Sequence, residues 1–112
     1  MPVYVIVWQF QVVAEHEGAF QNAYGPGGDW ARLFERSSDF QGTELLRAVV
    51  EDEEAVDEAE SSRDYFTIDR WTSHDAYAAF NERYTREYEE MDNRFLELCE
   101  VEVCLGKFEV VD

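Results

Sequence analysis

Along residues 64–98 the apolar side chains change period within a few positions. In "DYFTIDRW", residues 64 to 71, they alternate. Tyr65, Thr67, Asp69 and Trp71 fall on one face, and Phe66, Ile68 and Arg70 on the other. Period two is the mark of a strand whose two faces meet different surroundings. Beyond residue 72 the series Tyr77, Phe80, Tyr84, Tyr88, Met91, Phe95 and Leu98 advances by three or four, which predicts one continuous helical stripe. Thr72 or Ser73 caps this helix, and the run from Thr72 to Asp75 fits a capping box. Arg83 with Glu87, Glu82 with Arg86 and Glu90 with Arg94 offer ion pairs along its outer surface.

The rest of the chain places this unit in a fold. Residues 3–13, "VYVIVWQFQVV", are β-branched and aromatic almost throughout and predict a strand, with Gln9 and Gln11 breaking one face. "AEHEGAFQNAY" (14–24) predicts a short helix with Phe20, Ala23 and Tyr24 inward. "GPGG" (25–28) stops it, and Asp29 caps a second piece with Trp30, Leu33 and Phe34 inward. The glycines fit no phosphate-binding pattern, and Asp29 would repel a phosphate. Residues 40–50 predict a second strand carrying Thr43, Leu45, Arg47 and Val49 on one face, and 100–110 a last one. Arg47 amid apolar neighbours is either an anion-facing residue of a cavity or an arginine that snorkels to the surface. The order β-α-β-β-α-β predicts an α+β, ferredoxin-like sandwich in one domain spanning 1–112. Its four-stranded antiparallel sheet carries helices on one face only. The other face, with Phe66 and Ile68, is expected to pack against a second copy, sheet to sheet.

Charge restricts the partners. The chain has 26 acidic residues against 9 basic ones, a net of −17, and Lys107 is its single lysine. Nucleic acid and anionic membranes both need positive charge, so neither is an expected partner. Acidity with so little lysine fits a protein working in high salt, where self-repulsion is screened. Residues 51–62, "EDEEAVDEAESS", form an acidic loop without calcium-loop spacing. Cys99 and Cys104 lack redox or zinc spacing and are expected as buried free thiols; no metal site is expected. His16 and His74 are expected at the surface. The chain opens without a basic leader and holds no apolar run of transmembrane length, so a cytoplasmic location is expected.

The opening "VYVIVWQFQV", then "YGPGGDWARLF", "FQGTELLR" and "YFTIDRWTSHDAYAAF", together resemble the antibiotic biosynthesis monooxygenase-type (ABM) domain of the dimeric α/β-barrel superfamily. The resemblance covers nearly the whole chain. It implies a dimer whose two sheets pack as an α/β barrel, and for some members an oxygenase that needs no cofactor. In those members a Trp ending the third strand and a Tyr on the following helix line the pocket. Trp71 and Tyr77 match that pair in kind and spacing. The pattern also has an Asn four residues before the Trp, where this chain has Thr67, a hydroxyl in place of an amide. Haem-degrading relatives carry an iron-binding His on the helix; ten residues past Trp71 this chain has Asn81.

Such an oxygenase needs a flat, electron-rich substrate, a base to take its proton and a donor to hold the developing oxyanion. Asp69, on the face of Trp71, would serve as base if buried. Tyr77 or Thr67 would donate to the oxyanion. Trp71, Trp30 and Tyr24 would stack a planar ring, with Arg47 as a further substrate contact. The plainer alternative pairs Asp69 with an arginine and uses Trp71 and Tyr77 as packing. Three functions follow: a cofactor-independent monooxygenase acting on a planar aromatic or polyketide-like molecule, a non-catalytic ligand-binding dimer, or a dimer whose acidic surface binds another protein.

Overall fold

The computed structural model describes residues 3–49 and 62–111. The β-branched and aromatic opening forms β1 (Tyr4–Val13), and a short 3-10 turn (Ala14–His16) leads into α1 (Glu17–Tyr24). After the glycine-rich link comes α2 (Asp29–Phe34), then β2 (Phe40–Arg47) and β3 (Ser62–Trp71). The chain continues through α3 (His74–Arg83), α4 (Thr85–Arg94) and a 3-10 turn (Leu96–Leu98) to β4 (Val101–Glu109). The expected acidic loop lies outside the described residues, apart from Ser62, which opens β3.

The strands form one antiparallel sheet in the order β2-β3-β1-β4, which is the expected ferredoxin-like α+β arrangement. Alternation along β1 and β3 sends Tyr4, Ile6, Phe10, Val12, Tyr65, Thr67, Asp69 and Trp71 under the helices, and all are buried. Phe20, Tyr24, Trp30, Phe34 and Phe80 meet them from the helical layer, so aromatic rings dominate the core. Tyr65 fastens α1 to the sheet: its hydroxyl donates to Glu17 (2.7 Å) and accepts from Gln21 (2.7 Å). On the open face Leu46, Val103 and Phe108 keep 44%, 44% and 50% of their surface exposed.

Several local expectations are corrected. The long helix is two helices, parted at Tyr84 (φ −113°, ψ 27°). The Thr85 hydroxyl turns back to the carbonyls of Asn81 (2.5 Å) and Glu82 (3.3 Å), a contact that bends helices. Glu82 and Arg83 therefore lie on a different helix from Arg86 and Glu87, and the ion pair that forms is Arg86–Glu90 (3.4 Å). Arg94 reaches Asp29 instead of Glu90 and ties α4 to α2. The cap of α3 is Ser73, which accepts from the Ala76 N–H (3.1 Å), while Thr72 bonds Asp39 (3.0 Å). With Ser73 as cap, Asp75 is one position short of closing a capping box. Gly28, not Asp29, precedes the first residue of α2. A Cβ at Gly28 would stand 2.4 Å from the Asn22 carbonyl oxygen, which is why glycine occupies that crossing. Both cysteines are free thiols, but Cys104 is exposed because β4 is an edge strand, and Cys99 is half-buried. His74 is exposed as expected, with its ring edge-on to Tyr4, whereas His16 is half-buried.

Candidate functional site

The centre of β3 carries the one buried carboxylate among the described residues. Asp69 is 8% exposed and pairs in register with Ile6 of β1 and Thr43 of β2. Thr43 Oγ1 donates to Asp69 Oδ1 at 2.5 Å. Its sequence neighbour Arg70 points to the opposite face, where it pairs with Glu44 at 2.6 Å. Pleating thus separates Asp69 from the nearest cation of its own strand. Burial pushes the Asp69 carboxyl up to about 6, and the Thr43 hydrogen bond holds it back only partly. The carboxyl is therefore poised to exchange a proton near neutral pH.

Above Asp69 lies a cleft lined by Trp8, Phe10, Tyr24, Trp30, Phe34, Thr43, Thr67, Tyr88 and Glu102. Its walls bound about 380 Å³ with the open mouth counted, but the free cavity is about 30 Å³, room for a water molecule or two. The rings close on one another: Trp30 meets Tyr88 edge-on at 4.9 Å, and Tyr24 lies 6.0 Å from Trp30. A planar ligand would have to part them; of these walls Trp8 and Tyr88 are the ones only partly buried. Burial raises the Tyr24 and Tyr88 hydroxyls well above the ordinary tyrosine value, so both stay protonated donors. Trp30 Nε1 is buried and makes no hydrogen bond of full geometry among the described residues, although it approaches the Tyr24 hydroxyl closely enough to oppose part of the rise in that group's pKa. Glu102 stands at the mouth and is itself exposed; desolvation by its neighbours first, and Asp92 second, raise its pKa.

Of the residues singled out in the sequence, Asp69, Thr67, Trp30 and Tyr24 come together on this cleft. Trp71, Tyr77 and Arg47 lie elsewhere. Trp71 is fully buried among Phe34, Phe40, Tyr77 and Phe80, outside the lining, with Nε1 unpaired. Tyr77 packs on Tyr4 (5.6 Å) and Trp71 (5.5 Å) and borders a neighbouring groove with Asn81, Thr85, Tyr88, Glu89 and Asp92. Arg47 is exposed at the end of β2, opposite Tyr65. Sequence reasoning passed over Trp8, Thr43, Tyr88 and Glu102. The signals were present: Trp8 alternates with Phe10, Thr43 with Leu45, and Tyr88 belongs to the helical stripe. Tyr88 is shared by cleft and groove, so it forms the partition between them. Among the described residues no group of three or more His, Cys, Asp and Glu side chains is arranged to hold a metal ion. No described helix is long and apolar enough to cross a membrane.

No protein-family model and no curated protein matches the sequence. Solved structures do match the fold. SnoaB, a cofactor-independent oxygenase from Streptomyces nogalater, aligns over 100% of this chain and 96% of its own, with 21% identity and a TM-score of 0.65. A candidate antibiotic biosynthesis monooxygenase from Bacillus cereus aligns over the same shares with 12% identity and a TM-score of 0.66. A dimeric ferredoxin-like protein from an uncultured marine organism covers 100% of this chain and 90% of its own, with 10% identity and a TM-score of 0.60. The chain thus has the fold of the antibiotic biosynthesis monooxygenases, as its sequence segments implied. At these identities the likeness is one of fold.

Proposed function

We propose that the chain is a cofactor-independent monooxygenase that binds a planar aromatic molecule in the Asp69 cleft. The observation that carries this reading is Asp69 itself: a buried, cation-free carboxylate with its pKa raised to about 6, beneath aromatic walls. Such a group takes a proton from an acidic ring carbon, as at the methylene of an anthrone. The resulting carbanion gives its electrons to O₂, and a C–O bond forms; with one proton the product is a hydroperoxide. Loss of the second C–H proton and cleavage of the O–O bond release water and leave a ketone. One CH₂ and one O₂ thus become one C=O and one H₂O. Thr67, Tyr88 and Trp30 supply hydroxyl and N–H donors for the oxygen that gains charge. Tyr24, Trp30 and Trp8 hold the ring. Trp71 supports Phe34 from behind the wall, and Tyr77 packs beside it.

The working form in this reading is a homodimer. The apolar open face, with Phe108, Val103 and Leu46, is what a second sheet would cover, and the solved structures of this fold include several described as dimeric. The small free cavity favours a second reading, a dimer that binds a ligand without transforming it. Oxygen uptake separates the two. With the anthrone dithranol as probe, the wild type is expected to consume one O₂ per quinone formed, and Asp69→Asn to be slower by at least about 100-fold. Binding of dithranol without O₂ uptake would establish the non-catalytic reading. Equal rates in wild type and Asp69→Asn would remove Asp69 as the base.

A further inference from the structure

Among the described residues the cleft is lined by six aromatic side chains and two carboxylates, and by no lysine or arginine. The groove beyond Tyr88 adds Glu89 and Asp92, again without a cation. The nearest basic residues line neither the cleft nor the groove. Arg32 and Arg94 pair with Asp29 on α2 and α4. Lys107, on the sheet face of Asp69 but two strands away across Ile6, lies 5.9 Å from the Tyr77 ring centre at the edge of the groove. An ionised carboxylate in such a place lacks a counterion, and ring faces attract positive charge most strongly where water is excluded. Two buried indole N–H groups lack a full hydrogen bond among the described residues, those of Trp30 and Trp71, and Trp30 is the one on the cleft, where an oxygen on the ligand would accept from it.

We propose that the cleft selects a planar organic cation, an aromatic ring system bearing a protonated or alkylated nitrogen, over neutral and anionic ring systems of the same outline. The charge would sit between the carboxylates of Asp69 and Glu102 and the faces of Trp8 and Tyr88. An oxygen elsewhere on the ring system would accept from Trp30. A positive substituent also acidifies a neighbouring ring C–H, so the same selection would assist proton removal. This inference rests on the cleft being a ligand site and adds the charge class of what it takes.

The test compares three tricyclic probes of similar outline: proflavine (a cation), acridone (neutral) and anthraquinone-2-sulfonate (an anion). Binding is read by calorimetry in 1 M KCl, where the Debye length is about 3 Å and attraction to exposed charge is largely screened. Proflavine is expected to bind at least tenfold more tightly than acridone, and the sulfonate not to bind. In the double variant Asp69→Asn/Glu102→Gln that advantage should fall below threefold. The double variant Glu15→Gln/Asp75→Asn removes equal charge from exposed positions and should keep it. Equal affinity for acridone and proflavine would overturn the charge selection while leaving the cleft a ligand site. Failure of all three probes to bind would overturn both. Proflavine binding that the exposed-charge variant weakens as much as the cleft variant would be surface attraction, and would also overturn the selection.

Discussion

Asp69 costs the folded state stability whenever it is ionised. Its unfolded value is near 3.8 and its folded value about 6, so the folded chain binds this proton more tightly. Its contribution is fully present below pH 3.8 and is lost as pH rises through 6, a swing of up to about 3 kcal/mol. Asparagine keeps the bond from Thr43 and never ionises. Asp69→Asn is therefore expected to be more stable than wild type at pH 8, with the gap closing towards pH 4, in denaturant titrations at the two values. Equal destabilisation at both would show that the buried charge is not the cost. The face that Asp69 takes is legible from the alternation of β3. Its partner is not, because the register with Thr43 is a pairing across 26 positions of chain. Alternation also puts Trp71 on the face of Asp69, but two residues along a strand is about 7 Å. That step carries the indole past the cleft wall and in behind Phe34 and Phe40.

The link between α1 and α2 sets where Trp30 and Tyr24 meet, and Gly28 is its tightest point. A Cβ there would lie 2.4 Å and 2.6 Å from the carbonyl oxygens of Asn22 and Ala23, which are backbone and cannot swing aside. Gly28→Ala is expected to destabilise by about 1–3 kcal/mol. Gly18→Ala, where a Cβ meets nothing within 4 Å, should be neutral or stabilising by up to about 1 kcal/mol. Urea unfolding of the two variants checks the contrast; equal effects would contradict it. Strands and helix faces were readable in the sequence because their periods are local. The break at Tyr84 was not, since the steps of three and four run through it unchanged. What parts the helix is the hydroxyl of Thr85 competing for carbonyls, and after the break α4 carries Tyr88 onto the cleft.

The molecule has two sides with different needs. The helical side closes over an aromatic core, while the open side leaves the apolar face of β4 and β2 in contact with water. Val103→Asp, placing charge on the edge strand of that face, is expected to convert a dimer into monomers in sedimentation velocity without abolishing the fold. A variant that stays dimeric would put the interface elsewhere. The order of elements, and with it the bare face, followed from the sequence; the cleft did not, because it is assembled from β1, β2, β3, β4 and the helices together. Whether that cleft holds a working proton acceptor is open to a direct titration: ¹³C NMR of the protein labelled at its aspartate carboxyls, followed from pH 3 to pH 9. One aspartate should titrate at about 6, disappear in Asp69→Asn, and shift when proflavine is bound. If every aspartate titrates below about 5, Asp69 is hydrated or paired, and the cleft has no base.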